Sequence, residues 1–507
     1  MSTLVPVAIP APAASMPSPA ARVGRNTAFR VAAQALSAVI NVAAMMMLGG
    51  QLSAAGYGEY VFWYALVPVL ASIADLGTGV VVTRAIARTP ADARRLLGDA
   101  LLVRAAVAVV TLAAIALLAL PLLGAARALL VLCVAGAALL DFSQDAAVWA
   151  SRATERLDVE AVLLLVSQCV WLGLIALALA LHATLPALLA TAAVAFALRT
   201  LAGGAWLARQ GLLPSLRFDR ARVAALVGEG WPVALSLLLV VLYGRAGVFA
   251  LQAWSSASEV ACFNVAYMLA QPFGFMASAL AMAVFPSVAR LSDAEGGTLQ
   301  RTLRSANKYQ WLVSLPLAAG LSLLAARIVP LFFKSGAGFE HAAAGLAAVA
   351  LSLPFVFMNL QSRYLLAALG QQRVYLAAVA AGLLVNVAGC AWFARSAGAS
   401  GAAWTFLAAE AVVFAICQHA TLRRVGPTGA GAEVVRPLIA AAVMAAVVVS
   451  LGRVPLALVI VAGAAVYAAA LALTGAWTRA ESQLMSNILG SFRSVRAPHA
   501  SARRGQS

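Results

Sequence analysis

Residues Leu48 to Arg88 read LGGQLSAAGYGEYVFWYALVPVLASIADLGTGVVVTRAIAR. The run from Tyr57 to Thr83 is almost free of charge and long enough to cross a hydrocarbon core, which takes about 20 residues as a helix. A small polar turn precedes it and the basic exit TRAIAR follows it. The same pattern recurs along the whole chain. Apolar spans are expected at Thr27–Leu48, Tyr57–Thr83, Leu97–Leu120, Ala128–Ala150, Ala161–Leu181 and Leu185–Leu207. After a break come Trp231–Ala253, Val260–Phe285, Tyr309–Phe332, Ala343–Leu369, Val374–Ala394 and Gly401–Ala420, then Val435–Leu451 and Val454–Ala476. Only helices or closed barrels satisfy their backbone in lipid, and these runs are too long and continuous for barrel strands. The fold class is therefore all-α and polytopic, with about 14 transmembrane helices.

Composition agrees, at 63% hydrophobic and 10% charged residues. The formal charge of +17 suggests nucleic acid only until its location is read. Most of the 35 Lys and Arg fall in the N-terminal arm, in alternate connections and in the tail, whereas the intervening connections hold Arg127, Lys334, Arg395 and Arg453. The positive-inside rule then places both termini in the cytoplasm, and the basicity reads as topology and lipid contact, with no nucleic-acid partner. Cys133, Cys169, Cys262, Cys390 and Cys417 all lie in apolar spans and read as small buried hydrophobes. His182, His341, His419 and His499 have no metal-ligand spacing, and no phosphate-binding loop or hydrolase motif is present. A transporter without metal or cofactor is expected, not an enzyme. A membrane polymerase or acyltransferase would need a large loop or a His/Asp pair at the membrane face.

The chain repeats itself weakly. LGGQLSAAGYGEYVFWYAL at Leu48–Leu66 parallels LQAWSSASEVACFNVAYML at Leu251–Leu269, and both following helices end in a basic exit. Repeats that begin at the first and seventh helices share one orientation, so two six-helix lobes in pseudo-two-fold relation are expected, with substrate bound where they meet. The expected organisation is a disordered cytoplasmic arm at 1–26, lobes at 27–208 and 231–424, and a linker at 209–230. Two extra helices at 425–477 and a cytoplasmic tail at 478–507 complete it. In that tail Leu484, Ile488 and Phe492 suit a surface helix.

The first hairpin resembles that of the Wzx-type polysaccharide flippases, which show an outer "G…yG.Y", then "DlG" and "ReiAR". The matching residues are Gly56, Tyr57, Gly58 and Tyr60; Asp75, Leu76 and Gly77; and Arg84, Ile86, Ala87 and Arg88. FNVAYMLAQPFGFMASALAMAVFPSVARL, from Phe263, is similar to that family's eighth helix. The resemblance covers nearly the whole chain after Asn26. It implies a member of the multidrug, oligosaccharidyl-lipid and polysaccharide exporter superfamily in a bacterial inner membrane. The implied substrate is an undecaprenyl-pyrophosphate-linked oligosaccharide destined for O-antigen, capsule or exopolysaccharide. Implied partners are membrane lipids, a polysaccharide polymerase and glycosyltransferases. One departure stands out: many relatives carry an Arg-Asp-like pair on the seventh helix, whereas Arg245 is followed here by Ala246 and Gly247. A multidrug cation exporter and a peptidoglycan-precursor flippase of the same superfamily are the competing functions.

A charge near the bilayer centre costs at least about 2.5–3.5 kcal/mol on insertion scales, so each one invites a functional role. By depth, Arg104 pairs with Asp145 or Asp141 and Arg199 with Asp75, as structural ion pairs. Arg245 and Arg363 have no acid on their own helices, and Glu410 is the only membrane acid in the second half. At least one of these arginines should need an anion from outside the protein, and a pyrophosphate suits a guanidinium. Arg30, Gln34 and Asn41 share one side of the first helix, and Asn264 and Gln271 one side of the eighth. With Arg84 at the inner rim they are the expected contacts for sugar hydroxyls and head group. Asp75 and Glu410 are the candidates for ion coupling.

Overall fold

The computed structural model describes residues 19–143, 145–216, 219–291, 297–333, 338–431 and 433–475. The tail with Leu484, Ile488 and Phe492, the arm up to residue 18, and Lys334 lie outside them. The described residues hold helices and no strand. In order they are α1 Pro19–Gln51, α2 Ala54–Asp75, α3 Thr78–Arg88, α4 Ala93–Ser143, α5 Asp145–Ala153, α6 Leu157–Ala180 and α7 Leu185–Arg209. There follow α8 Arg220–Trp254, α9 Ala257–Leu291, α10 Thr298–Phe332, α11 Ala342–Ala368, α12 Gln372–Val425, α13 Val435–Ser450 and α14 Leu456–Leu473.

Two of these helices are each two spans. A straight α4 would run about 75 Å, more than twice the bilayer core. Yet Arg104 reaches Asp145, just past its far end, at 2.7 Å, and Leu112 and Ala135 line one small cavity. The chain therefore doubles back between them. In α12 the reversal is at Gly398, with φ 50° and ψ −133°, and Cys390 Sγ meets Thr405 Oγ1 across the hairpin at 3.1 Å. Glu259 caps the turn, its Oε2 accepting from Ala399 N–H at 2.6 Å. Among the described residues twelve spans, α4 already counted as two, are long and apolar enough to cross a membrane. Counting α12 as two and adding the shorter apolar α13 gives the fourteen spans expected.

The sequence boundaries need three corrections. Residues 19–26 of the expected arm are already helical, because proline is tolerated in a first turn and an alanine-rich stretch follows. The expected linker is shorter, since Asp219 caps α8 through Ala221 N–H at 3.0 Å and Arg222 N–H at 3.3 Å. The second span is broken: Leu76 (φ 45°) and Gly77 (φ 69°) turn left-handed between α2 and α3. A Cβ at Gly77 would meet the Gly230 carbonyl of α8, so this position needs glycine twice over.

Contacts divide the chain into two units: Met1–Met47 with Leu66–Leu238, and Leu48–Ala65 with Leu239–Ser507. In the first, Val82 and Ile86 of α3 enter a core with Leu97, Trp149 and Leu207. In the second, α13 and α14 pack on α10 through Leu312, Met444 and Tyr467. The connection before α13 is clasped to α10. Gln300 donates to Val425 O at 2.6 Å, Asn307 to Thr428 O at 3.1 Å and Trp311 to Ala430 O at 2.8 Å.

Candidate functional site

In the first unit the membrane charges satisfy one another. Arg104, 1% exposed, pairs with Asp75 and with Asp145 and donates from Nε to Thr78 Oγ1 at 3.1 Å. Its guanidinium lies 4.3 Å from the Trp149 ring centre. Thr78 in turn donates to the Asp75 carbonyl at 2.7 Å, tying the break between α2 and α3 to the same cluster. The expected Arg104–Asp145 pair is present, whereas Asp75 goes to Arg104 and not to Arg199. Depth along straight helices misassigned it, because the turn at Leu76–Gly77 redirects the chain just past Asp75. The charges acting on Arg199 are Asp141, Asp145, Glu160 and Arg152.

Arg30 reaches Glu160 Oε1 at 3.3 Å. Arg152 grips the same carboxylate with two bonds, at 3.0 and 2.7 Å. Gln34 is exposed and Asn41 half-buried, and neither has a hydrogen-bond partner among the described residues. Arg84 is exposed on α3. Asp99, fully buried, is held by Arg222 at 2.9 Å.

The second unit is built differently. Glu410 is buried and bonded only to neutral donors, Tyr243 Oη at 2.8 Å and Asn359 Nδ2 at 2.7 Å. Arg245 and Arg363 have no ion-pair or hydrogen-bond partner among the described residues. Arg245 lies within electrostatic reach of Tyr267, and Arg363 of Tyr375; Glu410 acts on both tyrosines. Arg245 and Arg363 thus act on tyrosines that Glu410 also acts on. Asn264 is committed elsewhere: its amide donates to the buried Tyr57 Oη at 2.8 Å, while Gln271, two turns on, is exposed. A largely apolar cleft of about 520 Å³ opens among α9, α10, α13 and α14, lined by residues including Phe273, Leu324, Met444, Gly463 and Tyr467.

Glu160, Arg152, Tyr243 and Asn359 were missed from the sequence. The first two fall at helix ends, where charge is ordinary, and the last two are neutral residues inside apolar runs. The nearest signal was Glu410 itself, since a buried carboxylate demands donors from facing helices.

The fold matches solved transporters over most of their length. The Lipid II flippase MurJ in its inward closed conformation aligns with TM-score 0.70 at 12% identity, covering 88% of this chain and 98% of that one. An inward-facing multidrug resistance MATE family transporter of the MOP superfamily aligns with TM-score 0.62 at 15% identity, covering 77% and 95%. The Vibrio cholerae MATE transporter VcmN in its bent form aligns with TM-score 0.52 at 18% identity, covering 80% and 97%. No curated protein matches the chain. The architecture is similar to that of these solved transporters. Residues 23–292 match the family "Polysaccharide biosynthesis protein", and residues 232–392 match the family "MatE". The chain belongs to the polysaccharide biosynthesis protein family.

Proposed function

We propose that this protein flips an undecaprenyl-pyrophosphate-linked oligosaccharide from the cytoplasmic to the periplasmic leaflet of a bacterial inner membrane, by alternating access. Both termini are then cytoplasmic, as the arginine-rich alternate connections favour. The observation that carries this reading is the pair Arg245 and Arg363, without a partner among the described residues. Glu410, an acid inside a span of the second unit that could neutralise Arg245 or Arg363, is bonded instead to Tyr243 and Asn359. Two guanidinium groups without internal counter-ions suit a diphosphate, which offers many acceptor oxygens to multidentate donors. A multidrug cation exporter would want acids in their place.

Arg30, Gln34, Asn41 and Arg84 in the first unit and Asn264, Gln271, Arg245 and Arg363 in the second are the proposed substrate contacts. Asn264 would have to release Tyr57 to serve. The apolar cleft against α13 and α14 suits a prenyl tail, since its walls carry little but hydrocarbon. Glu410 is the better placed of the two coupling candidates, because Asp75 is already engaged by Arg104.

The test measures lipid-linked saccharides in cells lacking this protein, complemented with wild type or Arg245→Ala. Undecaprenyl-linked repeat units should accumulate on the cytoplasmic side and be cleared by wild type but not by the alanine variant. Unchanged lipid-linked pools together with new sensitivity to cationic drugs would sink the proposal in favour of a multidrug exporter. Accumulation of peptidoglycan precursor alone would assign the other lipid substrate.

A further inference from the structure

The tip of the first hairpin, Leu48–Ala65, reads from sequence as part of the first lobe, yet its contacts group it with the second unit. The glycine–tyrosine motif seats it there. Gly58, on the second turn of α2, lies so close to the start of α9 that a Cβ would collide with the Ala257 carbonyl. A Cβ on Gly49 would likewise collide with the Phe333 ring. Glycine is required at 58 for close approach and not for a turn, since α2 is helical there. Tyr57 is fully buried, its ring centre 5.8 Å from that of Phe339 and 6.4 Å from that of Phe333. Its Oη accepts from the buried Asn264 Nδ2 at 2.8 Å. The surface beneath is itself braced. Glu259, on the first turn of α9, accepts from Ala399 N–H at 2.6 Å and pairs with His341 at 2.8 Å. The start of α9 is thereby fixed to the start of α11 and to the turn of α12.

We propose that the docked tip is an outer latch, held shut by Tyr57 and Asn264, and that it lifts off α9 when the outer side opens. The braced seat stays in place and the tip is the element that leaves. The inference rests on the alternating access of the proposed function, in which the outer ends of the two repeats part in one state. Tyr57 belongs to one repeat and Asn264 to the other, so their bond breaks in that state. A single hydrogen bond biases such an equilibrium by about tenfold and does not lock it. Lifting the tip also frees the Asn264 amide, which therefore meets substrate only as the outer side opens.

Cys262 reports on the latch. It is buried on α9 two residues before Asn264, and its thiol donates to the Gly338 carbonyl at 3.4 Å. Gly338 in turn lies against Ala54 of the tip. The test labels the full-length protein in sealed membrane vesicles from the outer face with a charged, membrane-impermeant thiol reagent, read cysteine by cysteine by mass spectrometry. A buried thiol is inert, so reaction marks opening. Tyr57→Phe and Asn264→Ala should each raise the labelling rate of Cys262 about tenfold, the scale of one hydrogen bond. The double variant should go no further, because both changes remove the same bond. Gly58→Ala should raise the rate as well, by wedging α2 off Ala257. Cys417, buried far along α12, should stay unreactive throughout. An unchanged Cys262 rate in all variants, additive effects in the double variant, or an equal rise at Cys417 overturns the latch. If Arg245→Ala still fails to clear lipid-linked saccharide in that case, the proposed function stands without it. Opening as expected in a protein that instead exports cationic drugs keeps the latch and removes the lipid-linked substrate.

Discussion

In the first unit Arg104 sits between Asp75 and Asp145 with Thr78 and Trp149 closing the shell. In the second, Arg245 and Arg363 stand without a partner among the described residues while Glu410 bonds a tyrosine and an asparagine. Both arrangements place arginine among apolar helices, where a charge is costly. The first neutralises it internally, which stabilises one fixed arrangement of α2, α4 and α5. The second leaves its charge available, which suits binding. Arginine among apolar helices is therefore neutralised in one unit and left without a partner among the described residues in the other, and the difference lies in which helices face it.

Five substitutions break or sharpen that contrast. Arg104→Ala leaves two part-buried carboxylates, Asp75 and Asp145, without their arginine and should cost about 3 kcal/mol, seen as a large drop in unfolding temperature or loss of folded protein in detergent. A variant that melts like wild type would show the pairs to be dispensable. Arg245→Ala and Arg363→Ala remove no internal bond, so their unfolding should stay within about 0.5 kcal/mol of wild type. Clearance of lipid-linked saccharide should instead fall roughly 10- to 100-fold, the scale of one or two charge-assisted bonds. A fall in stability matching that of Arg104→Ala would erase the distinction between the units.

Glu410→Gln turns an amide NH2 donor toward one of the two donors, Tyr243 Oη or Asn359 Nδ2, and should destabilise by about 1–2 kcal/mol. If Glu410 couples transport to an ion gradient, the variant's transport should also lose its dependence on that gradient in proteoliposomes. The smallest effect concerns the turn that Glu259 caps. His341 Nδ1 lies 2.8 Å from Glu259 Oε1, and that hydrogen bond and charge raise the imidazole above its ordinary value of 6.5. A raised value means the pair's stabilisation is fully present below about pH 6.5 and fades as pH rises through the folded value. Because the ring is exposed, only a slight fall in melting temperature between pH 6 and 8 is expected, and His341→Ala should abolish it. A steeper fall in the variant would contradict the assignment.

Much of this was legible in the chain. The fourteen spans followed from run length alone, and the structure alters their ends, not their number. Arg104 with Asp145 was readable because both lie at matching depth on successive spans. Asp75 was placed with the wrong arginine because a left-handed turn at Leu76–Gly77 carries no hydropathy signal. Asn264 read as one member of a polar stripe, yet its amide faces Tyr57, and periodicity gives a side but not the neighbour on that side. That Arg245 and Arg363 share tyrosine neighbours with Glu410 needed four helices at once, α8, α9, α11 and α12.

The sequence by itself determined that the chain is a bundle of membrane-spanning helices, because lipid penalises every unsatisfied backbone group and leaves long apolar runs one regular solution. It also determined where charge enters the membrane, since each such residue stands out against its run. Only the tertiary structure decided which of those charges are neutralised and which remain open. That depends on facing side chains within about 4 Å, a distance set by helix rotation and by breaks such as Gly77 and Gly398, which local sequence does not encode.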